Sequence, residues 1–322
     1  MNLGSTSLGM LLASLRESTA LRAKQDIQSI ARALGHCAGA IRNGDDAAAI
    51  PDRDGYTLLA AEGMLPSFVA ADPFFAGFCA VLTNVSDIAA MGGRPQAVVD
   101  VLFAGPDHAQ TQAVLAGLGA GSELLGVPLV GGHTARSFDR PYLAAAIVGR
   151  AQRLITSFDV RPGDHILACI DLRGRYRDET RNFDAISDKT SGPVRAQLGL
   201  LPQLAEAGLV HAGKDISMAG LVGTMLMLLE TSRCGAKLSL DAVPAPMEAD
   251  HDPLRWLQAF PSFGYLLAAR AENSASVIAA CAEHGVDAAV IAQAHAAPTL
   301  QVSYGHETVD HWNLTQAPIL GF

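Results

Sequence analysis

The sequence predicts an α/β chain folded as two domains, the second of α+β character. Three observations carry this reading: a length of 322 residues, an alternation of strand-like and helix-like segments through the first half, and a turn-rich break near residues 151–158. Single hydrophobic cores stop growing at about 250–300 residues, so a chain of this length divides. The expected domains are residues 1–155 and 156–322.

In the first half, Ile27, Ile30 and Leu34 recur at helical spacing before Gly35, marking a helix that ends at a glycine. Arg42-Asn43-Gly44-Asp45-Asp46 interrupts the pattern as a turn, and residues 56–61 read as a short strand. Asp72-Pro73 supplies a capping acid and a proline at the first helical position, opening a helix that runs to Gly92-Gly93. Residues 98–103 read as a buried strand and 107–125 as a helix. Residues 128–130 form a strand leading into Gly131-Gly132-His133-Thr134, and residues 142–148 close this half.

The second half begins at the turn Arg161-Pro162-Gly163-Asp164, ahead of a strand over 165–170. Residues 171–192 are rich in charge and poor in apolar side chains, which predicts a mobile surface loop and a candidate active-site lid. Helical patterns follow at 194–207, 221–232 and 274–284, and strands at 237–240, 264–269, 288–292 and 300–304.

Composition narrows the function. Hydrophobic residues make up 49% of the chain and charged residues 17%, which is globular composition. A net charge of -9 and a pI near 5.5 argue against broad electrostatic binding to nucleic acid or anionic membrane. A small polyanion would have to be held through metal ions or backbone amides. Mean hydropathy is +0.23, yet no uninterrupted apolar stretch approaches the ~18 residues of a membrane span; residues 221–229 are broken by Gly223 and Thr224. The first ten residues lack the features of a signal peptide, so a cytoplasmic location is expected. Cys37, Cys79, Cys169, Cys234 and Cys281 are far apart and read as reduced core residues.

The chemistry is carried by acids attached to glycine turns and helix faces. Asp45 and Asp46 sit together on a tight turn, where a cation shared with a ligand would ease their mutual repulsion; a plain Asp-rich turn is the alternative. On the helix that follows Pro73, Phe75, Phe78, Leu82, Val85 and Ala89 form one stripe, while Thr83, Asn84, Asp87 and Met91 lie on the other side. That polar edge either meets water or faces a site. Gly131-Gly132-His133-Thr134 is either a place where backbone amides face a phosphate or a hairpin turn. Lys214-Asp215-Ile216-Ser217 is a strand-to-helix junction, where Asp215 or Ser217 caps the helix or Lys214 meets an anionic group. Walker A, dinucleotide-binding and nucleophile-elbow patterns are absent from the sequence.

Taken in order, Gly44-Asp45-Asp46-Ala47-Ala48, Glu62-Gly63-Met64-Leu65, Asn84-Val85-Ser86-Asp87-Ile88-Ala89-Ala90-Met91-Gly92-Gly93, Gly131-Gly132-His133-Thr134 and Lys214-Asp215-Ile216-Ser217 resemble the aminoimidazole ribonucleotide synthetase-like (PurM-like) superfamily. The likeness covers most of the chain, and the Asn-x-Ser-Asp-x-Ala-Ala-Met-Gly stretch is its specific element. The resemblance implies two α/β domains, dimerisation through the first, and use of ATP with Mg²⁺. By position it makes Asp45, Glu62 and Asp87 metal ligands with Asp46 in support, and sets Asn84, Gly131, Gly132, His133, Thr134 and Ser217 toward the nucleotide. Lys214, Asp215 and Asp87 become the catalytic groups.

Departures from the pattern sort the relatives. His133 stands where thiamine-monophosphate kinase has an acid, and a neutral imidazole is a poor ligand for Mg²⁺. Met218 replaces a second acid of that enzyme, and Glu62 replaces an Asp. The first cysteine, Cys37, comes too late for selenophosphate synthetase chemistry, and the ending Ile319-Leu320-Gly321-Phe322 lacks the reactive cysteine of the hydrogenase-maturation enzyme. The resemblance is therefore nearest the thiamine-monophosphate kinase branch and its synthetase-related cousins. It implies a homodimeric, ATP- and Mg²⁺-dependent enzyme acting on a small-molecule acceptor. Two other readings stand beside it: a catalytically silent nucleotide-binding or scaffold dimer, and a transition-metal site recruiting His133.

Overall fold

The computed structural model describes residues 3–4, 6–34, 41–136 and 139–321. Gly35 and Cys37 lie outside the described residues. The chain divides into two compact units: residues 46–154 with 187–203, and residues 1–45 with 155–186 and 204–322. We name them the five-stranded and the seven-stranded unit after their main sheets. The chain passes between the units at 45/46, 154/155, 186/187 and 203/204, so residues 1–45 group with later segments and residues 187–203 with earlier ones.

The reason lies in the first helices, α1 (Leu8–Arg16), α2 (Thr19–Gln25) and α3 (Ile27–Leu34). Ser7 and Ser18 cap α1 and α2 by accepting the N–H of Met10 and Leu21. Leu8, Leu11, Leu12 and Leu15 recur on one face of α1 and bury in the core of the seven-stranded unit.

The five-stranded unit continues with β1 (Ala48–Asp52), β2 (Gly55–Met64), α4 (Pro66–Ala71), α5 (Pro73–Ala90), β3 (Arg94–Ala104), α6 (His108–Leu125), β4 (Leu129–Arg136) and β5 (Tyr142–Ala151). Its sheet runs β1-β2-β5-β3-β4, antiparallel except for the β3–β4 pair that α6 connects. Period-two alternation divides the strands cleanly. Leu58, Ala60, Val98, Leu102, Leu143 and Ile147 are buried on the face that α5 covers, while Leu59, Val99, Val101 and Phe103 stand exposed on the other.

The start and stop signals of α5 act as expected. Asp72 accepts the Phe75 N–H at 3.1 Å, Pro73 takes the first position, and Gly92 turns the chain away with φ 72°. By length and a mean hydropathy of 1.4 this helix would pass as a membrane span, but 83% of it is buried inside the protein, as befits a core helix. It lies so close to α6 that a Cβ on Gly77 would overlap the Val114 carbonyl and one on Gly117 the Phe74 carbonyl.

The later elements are β6 (His165–Ile170), β7 (Arg175–Tyr176), β8 (Asn182–Asp184), α7 (Ser191–Glu206), β9 (Ala212–Asp215), α8 (Gly220–Thr231), β10 (Gly235–Ser239), α9 (Pro253–Leu257), β11 (Phe260–Pro261), β12 (Gly264–Ala269), α10 (Ser274–Glu283), β13 (Asp287–His295), β14 (Thr299–Tyr304) and β15 (Glu307–Asn313). The mixed sheet runs β15-β14-β10-β13-β6-β12-β9, with β7, β8 and β11 in a smaller sheet. Every residue of α8 is buried. Its Glu230 carboxylate accepts the backbone N–H groups of Ile319, Leu320 and Gly321, which pins the chain end to the core.

Residues 171–192 depart from the expected mobile loop. Tyr176, Phe183 and Trp256 stack edge to face at 5.4 and 5.2 Å, and the Arg255 guanidinium lies 3.8 Å from the centre of the Tyr176 ring. Aromatic anchors thus outweigh the charge-rich composition and hold β7 and β8 in place. Cys169, Cys234 and Cys281 are buried free thiols and Cys79 is half-buried.

Candidate functional site

The register of the five-stranded sheet sets four positions in one row. Glu62 on β2 pairs with Ala145 on β5, Ala145 with Asp100 on β3, and Asp100 with Gly132 on β4. Directly paired residues share a face, and this row belongs to the face that carries Leu58, Val98 and Leu102. Asn84 of α5 lies over its centre, donating from Nδ2 to the Ala145 carbonyl at 3.3 Å and to the Ala80 carbonyl at 2.8 Å. Asn84 is fully buried, and its Oδ1 has no hydrogen-bond partner. One helical turn on, Asp87 is 6% exposed, so the polar edge of α5 is buried rather than turned to water.

Asp100 was not singled out in the sequence, where it reads as one residue of an apolar strand. Its position in the alternation was the available signal, because a carboxylate on the buried face of a strand needs a reason. Burial holds its carboxyl above the ordinary range, partly offset by its own backbone N–H. A Cβ at Gly132 would overlap the Asp100 carboxylate and carbonyl, so only glycine fits opposite it.

Gly131-Gly132-His133-Thr134 is not a hairpin turn: all four residues lie within β4. They extend the strand because β3 pairs with them in parallel, Val99 with Gly131 through Leu102 with Thr134. Alternation then parts the last two. Thr134 follows Gly132 on the row's face, whereas His133 pairs with Val101 on the open face, its ring 6.4 Å from that of Phe103. A cavity of about 560 Å³ opens at the carboxyl ends of β3 and β4, lined in part by His108, Thr111, Thr134 and Arg136.

In the seven-stranded unit, Lys214 and Asp215 end β9, paired with Leu266 and Tyr265 of β12, and Lys214 is 7% exposed. Neither Asp215 nor Ser217 caps α8. Ala219 holds the cap position without a side-chain hydrogen bond, because a tight turn from the Ser217 carbonyl to the Gly220 N–H intervenes. Asp45 accepts the Ser157 N–H at 3.0 Å.

Among the described residues no three His, Cys, Asp or Glu side chains lie together as a metal site. Asp46, Glu62 and Asp87 belong to the five-stranded unit and Asp45 to the other. Mg²⁺ is typically held by one or two carboxylates together with substrate phosphates rather than by an all-protein cage. The donors present are hard oxygens, among them the orphaned amide oxygen of Asn84, and they fit that cation.

Two family models match the chain: the AIR synthase related protein N-terminal domain over residues 44–151 and the C-terminal domain over residues 162–305. The uncharacterized protein sll0787 of Synechocystis is 45% identical over 317 residues, covering 97% of this chain and 98% of its own. Among solved structures, T. maritima PurL complexed with ATP aligns with a TM-score of 0.73 and 20% identity, over 98% of this chain; the chain spans only 54% of that one. AaThiL complexed with AMPPCP and TMP aligns with a TM-score of 0.68 and 18% identity, over 89% of this chain and 96% of that one. At such identities the two structures speak for the fold, and with the matched models they make this chain a member of the AIR synthase-related family with the two-domain PurM-like fold.

Proposed function

We propose that this protein is an ATP- and Mg²⁺-dependent enzyme that transfers the γ-phosphoryl group to an oxygen of a small metabolite, as product or to activate that oxygen for displacement. The observation that carries the reading is the fully buried Asn84, whose amide oxygen is unsatisfied, lying over a row in which buried Asp100 stands in register with the exposed Glu62 and Gly132. Leaving the buried Asn84 amide oxygen without a partner is costly, and a bound ligand repays it. The fold shared with PurL solved with ATP and with ThiL solved with AMPPCP supports a nucleotide as that ligand.

In this reading Asp45, Asp46, Glu62 and Asp87 hold the cation, and Asn84, Gly131, Gly132, Thr134 and Ser217 border the nucleotide. When bound, Mg²⁺ supplies neutralisation of charge on the transferring phosphoryl group. Lys214 meets an anionic oxygen and Asp215 orients the acceptor, so catalysis is mostly positioning. His133, on the open face of β4, is assigned to a dimer interface instead. The cavity at the ends of β3 and β4 continues the row through Thr134 and offers the acceptor a place with cationic Arg136 in its wall.

Replacing Asp87 with Asn should abolish ATP turnover while leaving the fold intact, read by an ATPase assay over a metabolite panel and by circular dichroism. Retained turnover would reject the assignment. Calorimetry that finds tight ATP and Mg²⁺ binding without turnover across the panel would favour a silent nucleotide-binding dimer, the reading that His133 and Met218 in acid positions suggest.

A further inference from the structure

Residues 155–159 lie outside every helix and strand, apart from an isolated bridge at Thr156, yet Ile155 and Ser157 are completely buried. The segment makes contacts in three directions within the seven-stranded unit. Toward the acidic turn, the Ser157 N–H donates to Asp45 Oδ2 at 3.0 Å, and the Arg42 guanidinium lies 3.8 Å from the centre of the Phe158 ring. Toward β9, the Thr156 N–H donates to the His211 carbonyl at 3.4 Å and the Gly213 N–H to the Thr156 carbonyl at 3.0 Å. Toward the end of α8, the Ser157 carbonyl accepts from Thr231 Oγ1 and from Ser232 Oγ at 2.8 Å, and Ser232 Oγ accepts from the Val160 N–H at 3.1 Å. The segment is also braced internally, Thr156 Oγ1 donating to Asp159 Oδ2 at 2.6 Å and accepting from the Phe158 N–H at 3.2 Å.

The turn that ends in Asp45 and the strand that ends in Lys214-Asp215 are remote in sequence, and the same few residues grip both. We infer that residues 155–159 are a positioning segment, which fixes the Asp45 carboxylate relative to Lys214-Asp215, and that the Arg42–Phe158 contact keeps the acidic turn seated in it. The inference rests on the proposed reading of Asp45 as a cation ligand. Ligating carboxylates are oriented by outer hydrogen bonds, and losing that support typically costs about 10–100-fold in metal affinity or activity. The Ser157 N–H cannot be removed by a side-chain change, but the contact that holds its partner turn can. Arg42 is exposed, and its cation over the Phe158 face needs only a π surface and a positive charge.

The test titrates Mn²⁺ into the full-length protein with AMPPCP present, following free Mn²⁺ by electron paramagnetic resonance. Arg42→Ala and Phe158→Ala should each weaken Mn²⁺ binding by about tenfold. The double variant should lose no more than either alone, since one contact is removed in both cases. Phe158→Tyr and Arg42→Lys, which keep the π face and the charge, should bind close to the parent. Thermal melts of each variant separate the two causes: weakened Mn²⁺ binding at a parent-like melting temperature is a positioning loss, whereas binding that falls only in step with the melting temperature overturns the positioning role. If Phe158→Ala fails to fold, exposed Arg42→Ala decides. Parent-like binding in the alanine variants, beside lost binding in Asp45→Asn, overturns the positioning role and leaves the cation reading standing; additive losses in the double variant overturn the shared contact. Parent-like binding in Asp45→Asn, or a parent that binds no Mn²⁺, overturns the cation reading itself and this inference with it.

Discussion

Asp100 shows how burial makes the charge of a single side chain costly. Its carboxyl titrates above the ordinary value of 3.8 because burial disfavours the charged form. A raised folded pKa means that the native state holds its proton more tightly than the unfolded chain. The contribution is therefore fully favourable below pH 3.8 and is lost as pH rises through the folded value. Asp100→Asn keeps the shape and an acceptor oxygen but never ionises. It should melt higher than the parent at neutral pH, and the gap should close as pH falls toward 3.8, followed by thermal melts across a pH series. A variant no more stable at pH 7 would remove the ionisation cost from the account. Residue roles were legible in the sequence where local chemistry announced them, as with Asp87 on its helix edge. Asp100 was not, because nothing in a Val-Val-Asp-Val run reveals that its strand mates are Glu62, through Ala145, and Gly132. Strand register is a long-range property.

At the scale of elements, the segments that begin and end with their own chemistry were the readable ones. Asp72-Pro73 and Gly92 bounded α5, and Asp107 with Gly126 bounded α6, its cap accepting from Ala109 and Gln110 and its end turning at φ 72°. Elements held by distant partners were not readable. β7 and β8 depend on aromatic contact with Trp256, and Gly131–Thr134 became strand only because β3 pairs with it. The crossing of α5 over α6 was hidden in glycines that looked incidental in the sequence. Gly117 is buried where Phe74 offers its carbonyl, so a methyl there must push the helices apart. Overpacking of this kind costs about 1–3 kcal/mol. Gly117→Ala should lose that much in urea unfolding, whereas Gly119→Ala, with open space beyond its Cβ position, should be neutral or slightly stabilising through helix propensity. Equal effects at the two glycines would mean that the helices do not meet as closely as described.

At the scale of the whole molecule, the two-domain plan followed from length and alternation, but the allegiance of residues 1–45 did not, since a leucine-faced helix fits any apolar surface and only the tertiary structure chooses. The five-stranded sheet poses a related question about its open face. Leu59 is 50% exposed, Phe103 40%, Val99 40% and Val101 38%, and β3 is an interior strand of the sheet rather than an edge. Monomeric proteins rarely leave a contiguous apolar patch larger than a few hundred Å². The family resemblance implies a second copy of the chain as its cover, which supports assigning His133 and Phe103 to that interface. Val101→Glu places a charge in the middle of the face without touching the covered side of the sheet, where Val98 and Leu102 pack. The parent should sediment as a dimer and the variant as a folded monomer, with far-ultraviolet circular dichroism unchanged. Because a buried unpaired charge costs several kcal/mol, the dissociation should be large rather than marginal. A parent that sediments as a monomer, or a variant that stays dimeric, would leave this face to some other partner and return His133 to the question of phosphate binding.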